Sequence, residues 1–165
     1  MSEINAYLNA VIAGIQNHFG QRLTTVAPYR PDSLKTPAAL VAIERMEQAD
    51  RAAADGRLPL DVSVAVHCIL SHRTPDLQLA LDSFATEVAV LAQNSYWDVE
   101  CVHAAPERIG IVPGELRPDI HGVDSRVVLW EQRILVGQGI YEFDTLIDEF
   151  HFEDVRSGEE TVINV

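Results

Sequence analysis

The chain has 165 residues, 47% of them hydrophobic and 22% charged, with 12 Lys+Arg against 25 Asp+Glu and a formal net charge of −13. That length suits one folded domain able to bury a core without metal or disulfide staples, and the composition excludes a chain disordered throughout. The acid excess excludes a broad nucleic-acid grip, because phosphate binding needs clustered Lys and Arg; a wall that repels DNA sliding past it stays compatible.

The longest apolar stretches, Ala38–Ile43 and Val62–Leu70, fall well short of the ~20 residues of a membrane span. The opening MSEINAYLNA has neither a basic n-region nor an uninterrupted apolar run, so the expectation is a soluble protein made inside the cell, with no secretory signal. Two cysteines, Cys68 and Cys101, make no disulfide framework and fit no zinc-finger spacing.

In chain order, Ile4, Tyr7, Leu8, Val11, Ile12, Ile15 and Phe19 recur at helical spacing. Ser2 stands at the N-cap and Gly20 at the C-cap, which predicts a helix over 3–19 packed on a core. Leu23–Ala27, stopped by Pro28, reads as a short strand or extended edge. Thr36–Asp55 carries conflicting signals. Thr36 as a cap, Pro37 at a first helical position and the Ala, Glu and Met content favour helix. Propensity alone thus gives helix, whereas an Asp55-Gly56 hairpin turn ahead of the alternating strand Leu58–Leu70 would make Leu40–Glu47 its first arm.

Leu77, Leu81, Phe84, Val88 and Leu91 predict a second amphipathic helix of about Asp76–Gln93. Two further strands are expected at Trp97–Ala105 and Val127–Val136, separated by a Pro- and Gly-rich loop, Pro106–Gly122. After Gly137-Gln138-Gly139 the composition shifts. Residues 142–165 hold eight acids against Arg156 alone, seven of the thirteen net negative charges, and end in the β-prone tip Thr161–Val165. The division expected is a body over 1–141 and an acidic C-terminal extension over 142–165.

The sequence contains no phosphate-loop glycines, HExxH, GxSxG or CxxC. His67-Cys68 and Cys101-x-His103 hold zinc-ligand types, but adjacent residues on a strand point to opposite faces and do not chelate one ion. The reading preferred there is a core thiol beside a surface imidazole. His72-Arg73-Thr74-Pro75-Asp76 reads as a helix entry with Asp76 near the dipole, not as a nucleophilic site. Asp119-x-His121-x-x-Asp124 lacks any supporting motif. Neither metal, cofactor nor catalytic residue is expected, and an enzyme is not. Trp130, on a β-branched strand with Glu131 and Arg133, is either a core anchor or an association residue. The candidate interface residues are Arg117, Arg126, Trp130 and Arg133, with Val162, Ile163 and Val165 of the tip.

The order of these elements, with Ile4–Phe19, Leu34–Met46 and its opening Thr36-Pro37-Ala38-Ala39-Leu40-Val41, Arg57–Leu70, Leu77–Leu91 followed by Asn94-Ser95-Tyr96-Trp97, and the Trp-bearing Val127–Gly137, resembles the tail-terminator (tail-completion) proteins of tailed bacteriophages, particularly those of Mu-like contractile tails and related tail-like particles. The resemblance covers about residues 1–140 and is one of element order. It implies an α/β (α+β) fold, a mainly antiparallel sheet of about four to five strands with two helices on one face, in the order αβββαββ, and it makes Leu40–Glu47 a strand. It further implies a homo-hexameric ring in the virion that caps the head-proximal end of the tail tube, stops its growth and offers a docking surface to the neck. Its partners would be its own copies, the tail tube and sheath proteins and neck or head-completion proteins, with genome DNA passing unbound and no membrane contact. A neck or head–tail joining protein is the alternative within the particle; a small hydrolase-type enzyme or a stand-alone binding module lies outside it. A ring closes by head-to-tail contacts and needs no catalytic constellation. The tip Thr161–Val165 could add as a strand to a neighbouring subunit or a sheath protein.

Overall fold

The computed structural model describes residues 2–30, 34–115, 120–140, 149–153 and 160–164. Helix α1 (Glu3–Phe19) starts where Ser2 Oγ accepts the Asn5 N–H at 3.4 Å and ends at Gly20, whose φ of 56° is reached cheaply by glycine. Its buried side chains, Tyr7, Val11, Ile15 and Phe19, form one stripe at four-residue spacing. Each contributes about 1.5–3 kcal/mol by leaving water, far more than helix propensity does.

Strands β1 (Thr25–Pro28), β2 (Ala38–Gln48) and β3 (Leu58–Ser71) follow, then α2 (Leu77–Ala92), β4 (Glu107–Pro113) and β5 (Val123–Val136). The five strands form one sheet in the order β1-β2-β3-β5-β4, antiparallel except for the parallel pair β1–β2. This is an α+β body in the order αβββαββ. Residues 36–55 are not helical: β2 begins at Ala38, directly after a cis Thr36–Pro37 bond, and Ala39 and Val41 face the core in register with Cys68 and Val66. Burial of that alternating face overrides the local preference for helix.

Both helices lie on the same side of the sheet. The residues of β3 and β5 that alternate toward them, Val62, Val64, Val66 and Cys68 with Val128, Trp130 and Ile134, share one core with Tyr7, Val11, Leu81, Phe84 and Val88. Phe19 of α1 meets Phe84 of α2 edge to face, ring centres 5.3 Å apart. On the opposite side a smaller cluster, Ala38, Leu40 and Ile69 with Tyr29 and Leu34, covers one end of the sheet.

One expected strand is displaced. Residues 97–105 run as turns and irregular chain, with only Val102 bridging to Ile134, and the edge strand lies at 107–113, inside the expected Pro106–Gly122 loop. Trp97 and Asp98 adopt φ of 55° and 50°, two successive left-handed residues that break the extended run, and the turn carries the Trp97 indole back onto the core. Beyond the body, β6 (Glu149–Glu153) and β7 (Glu160–Asn164) pair antiparallel as a separate two-stranded sheet within the acidic extension.

Candidate interaction surface

The sheet's helix-free face is where the candidate residues are to be placed, and the strand period decides which of them reach it. On β5, Val127, Leu129, Glu131 and Arg133 alternate away from the helices, while Arg126, Trp130 and Gln132 alternate toward them. Trp130 is only 1% exposed, so it is a core anchor and not a surface contact. Its Nε1–H donates to Tyr7 Oη at 3.2 Å, and its ring stacks on Trp97 with centres 5.9 Å apart.

Beside it sits Gln132, buried and satisfied on both ends of its amide. Oε1 accepts from the Tyr7 hydroxyl at 2.7 Å and from Trp97 Nε1 at 3.0 Å; Nε2 donates to the Ser95 and Ala104 carbonyls, both at 2.9 Å. One polar side chain thereby ties α1, β5 and both ends of the 95–104 connection together. Burial raises the Tyr7 hydroxyl well above its ordinary value, despite the bond from Trp130, so it stays a neutral donor.

On that face Ala65 and Val127 are buried, at 1% and 7% exposed, Ala42 and Leu129 are half-buried, and charges cross one end. An irregularity in β2 between Ile43 and Arg45 sets Arg45 opposite Ser63, from where it reaches Glu131 Oε1 at 3.2 Å. Arg108, in a second irregularity of β4 with φ of 54°, donates to the other oxygen of Glu131 at 3.1 Å. Arg133 forks onto Asp61 through Nε at 2.8 Å and Nη2 at 3.0 Å, which raises the guanidinium above its ordinary value. A groove of about 480 Å³ opens alongside, lined by Arg51, Asp55, Arg57, His103, Arg133 and Leu135. The Asp55 carboxyl there is lowered by the Arg57 backbone N–H and by the Arg57 guanidinium.

The polar border of the face is thus Arg45, Arg108, Glu131 and Arg133 with Asp61. Arg126 is not part of it: only 17% exposed, it bridges β5 to α2 through Asp82 Oδ1 at 2.9 Å and Gln78 Oε1 at 2.6 Å. Arg133 is on the surface, Val162 and Ile163 stand opposite His151 and Phe150 in the β6–β7 ladder, and Arg117 and Val165 lie outside the described residues. Sequence reasoning missed Arg45 and Arg108, which reach Glu131 only through the two strand irregularities.

The residues weighed for chemistry stay apart. His67 is on the helix-free face beside the Tyr29 ring, centres 4.5 Å apart, while Cys68 is in the core on the other side, its thiol pushed up by burial to about 12. Cys101 packs near the start of α1, its Sγ 3.7 Å from the Glu3 carbonyl oxygen. Asp76 has φ of 48° and makes no side-chain capping bond to α2. Burial works against ionisation of Asp124, but the Gln78 amide, the Ser125 N–H and nearby Arg126 outweigh it and hold the carboxyl low. Asp119 lies outside the described residues, among which no group of three His, Cys, Asp or Glu is placed to hold a metal. No helix among them is long and apolar enough to cross a membrane. No protein-family model and no curated protein matches the chain.

Proposed function

We propose that this chain is a structural virion protein that caps the head-proximal end of a phage tail tube as a ring, ends tube growth and offers the neck its docking surface. The observation that carries the reading is the body's order αβββαββ with both helices on one side of a mainly antiparallel sheet, the arrangement that the resemblance to tail terminators implies. On this reading the helix-free face, with half-buried Ala42 and Leu129 and the bordering Arg45, Arg108 and Arg133, is the surface for head-to-tail contact between copies. On this reading the ring takes up its own copies, the tube end and the neck, and the excess of acid keeps transiting DNA from adhering, over a Debye length of about 8 Å at physiological salt.

The test is removal of the gene from a producing strain, with electron microscopy of the particles. Tails of unregulated length that fail to join heads, restored to normal by the gene supplied in trans, are the expected result. Tails of normal length, or labelling of the protein at the portal and not at the tube end, would overturn it.

A further inference from the structure

The chain carries 12 Lys+Arg against 25 Asp+Glu, yet one groove reverses that balance. The groove of about 480 Å³ is lined by Arg51, Arg57 and Arg133, with Asp55 the single carboxylate among its described lining residues and Ala52, Ala53, Ala54, Pro59 and Leu135 as its apolar part. Three backbone bonds fix it. The Ala49 amide donates to the Pro59 carbonyl at 3.0 Å, closing the connection between β2 and β3; the His103 amide donates to the Arg133 carbonyl at 2.9 Å; and the Ile140 amide donates to the Asp55 carbonyl at 2.8 Å. The arginines therefore stand on tied backbone. Their own pairing leaves donors over. Arg57 gives Nε to Asp55 Oδ2 at 2.6 Å, and Arg133 gives Nε and Nη2 to Asp61, which is outside the groove lining. Among the described residues neither Nη of Arg57, nor Nη1 of Arg133, nor any nitrogen of the Arg51 guanidinium has a partner.

Arg57 is only 24% exposed, so water reaches its terminal nitrogens less freely than on an open surface, and an unmet charged donor there is costly. A guanidinium presents such nitrogens as a planar fork that matches a carboxylate. The adjoining groove limits what can enter. It shares His103 and Arg133 with the first and is lined by Asp50, Asp61, Glu107 and Glu131 against Arg108 and Arg133. An extended polyanion such as nucleic acid would run from the arginines onto these four carboxylates. A short segment with one carboxylate between apolar side chains meets the arginines and the apolar lining and stops before them.

We propose that this groove is the docking site for a carboxylate-bearing segment of a partner protein: an Asp or Glu flanked by apolar side chains. The unpartnered guanidinium nitrogens of Arg51, Arg57 and Arg133 donate to the carboxylate, and the flanking side chains pack on the alanines of the β2–β3 connection and on Leu135. Charge complementarity selects the occupant, since the groove holds three cations against one acid in a chain of the opposite sign. The inference goes beyond the ring reading and does not depend on it.

The test follows the backbone amide resonances of the full chain. The probe is acetyl-Leu-Asp-Leu-amide, compared with acetyl-Leu-Asn-Leu-amide and with inorganic phosphate. Expected are saturable shifts at residues 52–57, His103 and Arg133 with the Asp peptide, binding of the Asn peptide at least ~10-fold weaker, and weakening of the Asp peptide in high salt. Arg51→Gln and Arg57→Gln should each weaken the Asp peptide by at least ~10-fold. Arg73→Gln, an exposed cation between β3 and α2, should leave it unchanged. Where Arg57→Gln moves amides throughout the body, Arg51→Gln decides, because Arg51 is exposed and has no partner among the described residues to lose. Equal binding of the two peptides, a loss in Arg73→Gln matching that in Arg51→Gln, or no saturable shift overturns the inference. Phosphate binding as tightly as the Asp peptide makes the groove a site for free anions and overturns it too. So does occupation by the chain's own residues 141–148, seen as nuclear Overhauser contacts from them to Ala53 or Leu135. The ring reading is tested separately, by the particles that form without the gene.

Discussion

Trp97 lies against α1 where the helix has no side chain: a Cβ at Gly14 would stand 2.7 Å from Trp97 Cε3. The indole cannot retreat, since its Nε1 is bonded to Gln132 and its other face is stacked on Trp130. Gly14→Ala gains about 1 kcal/mol of helix propensity and loses more to overpacking, typically 1–3 kcal/mol. The expected outcome is a net destabilisation of about 1 kcal/mol in urea unfolding followed by tryptophan fluorescence. A gain in stability would show that Trp97 can move off the helix.

Gln132 is the costlier position. Gln132→Leu keeps the volume but strands the Trp97 indole N–H and the Ser95 and Ala104 carbonyls, and takes the acceptor of the Tyr7 hydroxyl. Each unsatisfied buried group costs about 1–3 kcal/mol, so a loss of roughly 3–5 kcal/mol is expected. Tyr7→Phe removes one bond to Gln132 and the acceptor of Trp130 Nε1, for about 1–2 kcal/mol. In the double variant the losses should fall short of additive by at least about 0.5 kcal/mol, because both touch one network. Strict additivity would dismiss the coupling.

Periodicity made both helices and the strands β3 and β5 legible, since burial on one face writes itself into the spacing of apolar residues, whereas β2, with its helix-favouring composition, was read as a strand only through the resemblance. Three things were not legible. Residues 97–105 have strand-like composition, but the positive φ of Trp97 and Asp98 serves a contact with Gly14, 83 positions earlier, which no local window contains. For Trp130 the sequence left core anchor and association residue open; only the pleat, once the helices are placed on one side, sends it inward with Gln132 and Arg133 outward. The charged border is similar. Arg45 and Arg108 converge on Glu131 through irregularities in two separate strands, which leave no periodic trace.

His67 links stability to pH. Burial lowers its pKa from the ordinary value of 6.5, against a smaller opposing pull from Glu44, and the Tyr29 ring packs over it. A histidine with a depressed folded pKa binds its proton more readily when unfolded. Its contribution is therefore present at neutral pH and declines as pH falls through 6.5 toward the folded value, below which it changes no further. Urea unfolding at pH 7.5 and pH 5.5 should show a fall for the unmodified chain that is smaller in His67→Gln. Equal falls in the two proteins would place the pH dependence on other groups.

Arg133 separates stability from association. It and Asp61 are each about one-third exposed, at 36% and 37%, and their ion pair is worth no more than about 1 kcal/mol after solvent screening. Arg133→Ala should therefore leave the unfolding midpoint nearly unchanged. The same substitution removes the cation at the border of the helix-free face and frees the Asp61 carboxylate, so two copies meeting there would present an unpaired acid. If that face is a contact surface, the variant should bind tube ends or its own copies at least ~10-fold more weakly, the scale of truncating one member of an interfacial charge pair. Arg126→Ala provides the comparison, because Arg126 is turned toward Asp82 and Gln78 on the helical side and should cost stability without affecting association. Reversal of this pattern, with Arg126 and not Arg133 governing assembly, would move the contact surface from the bare sheet to the face of α2.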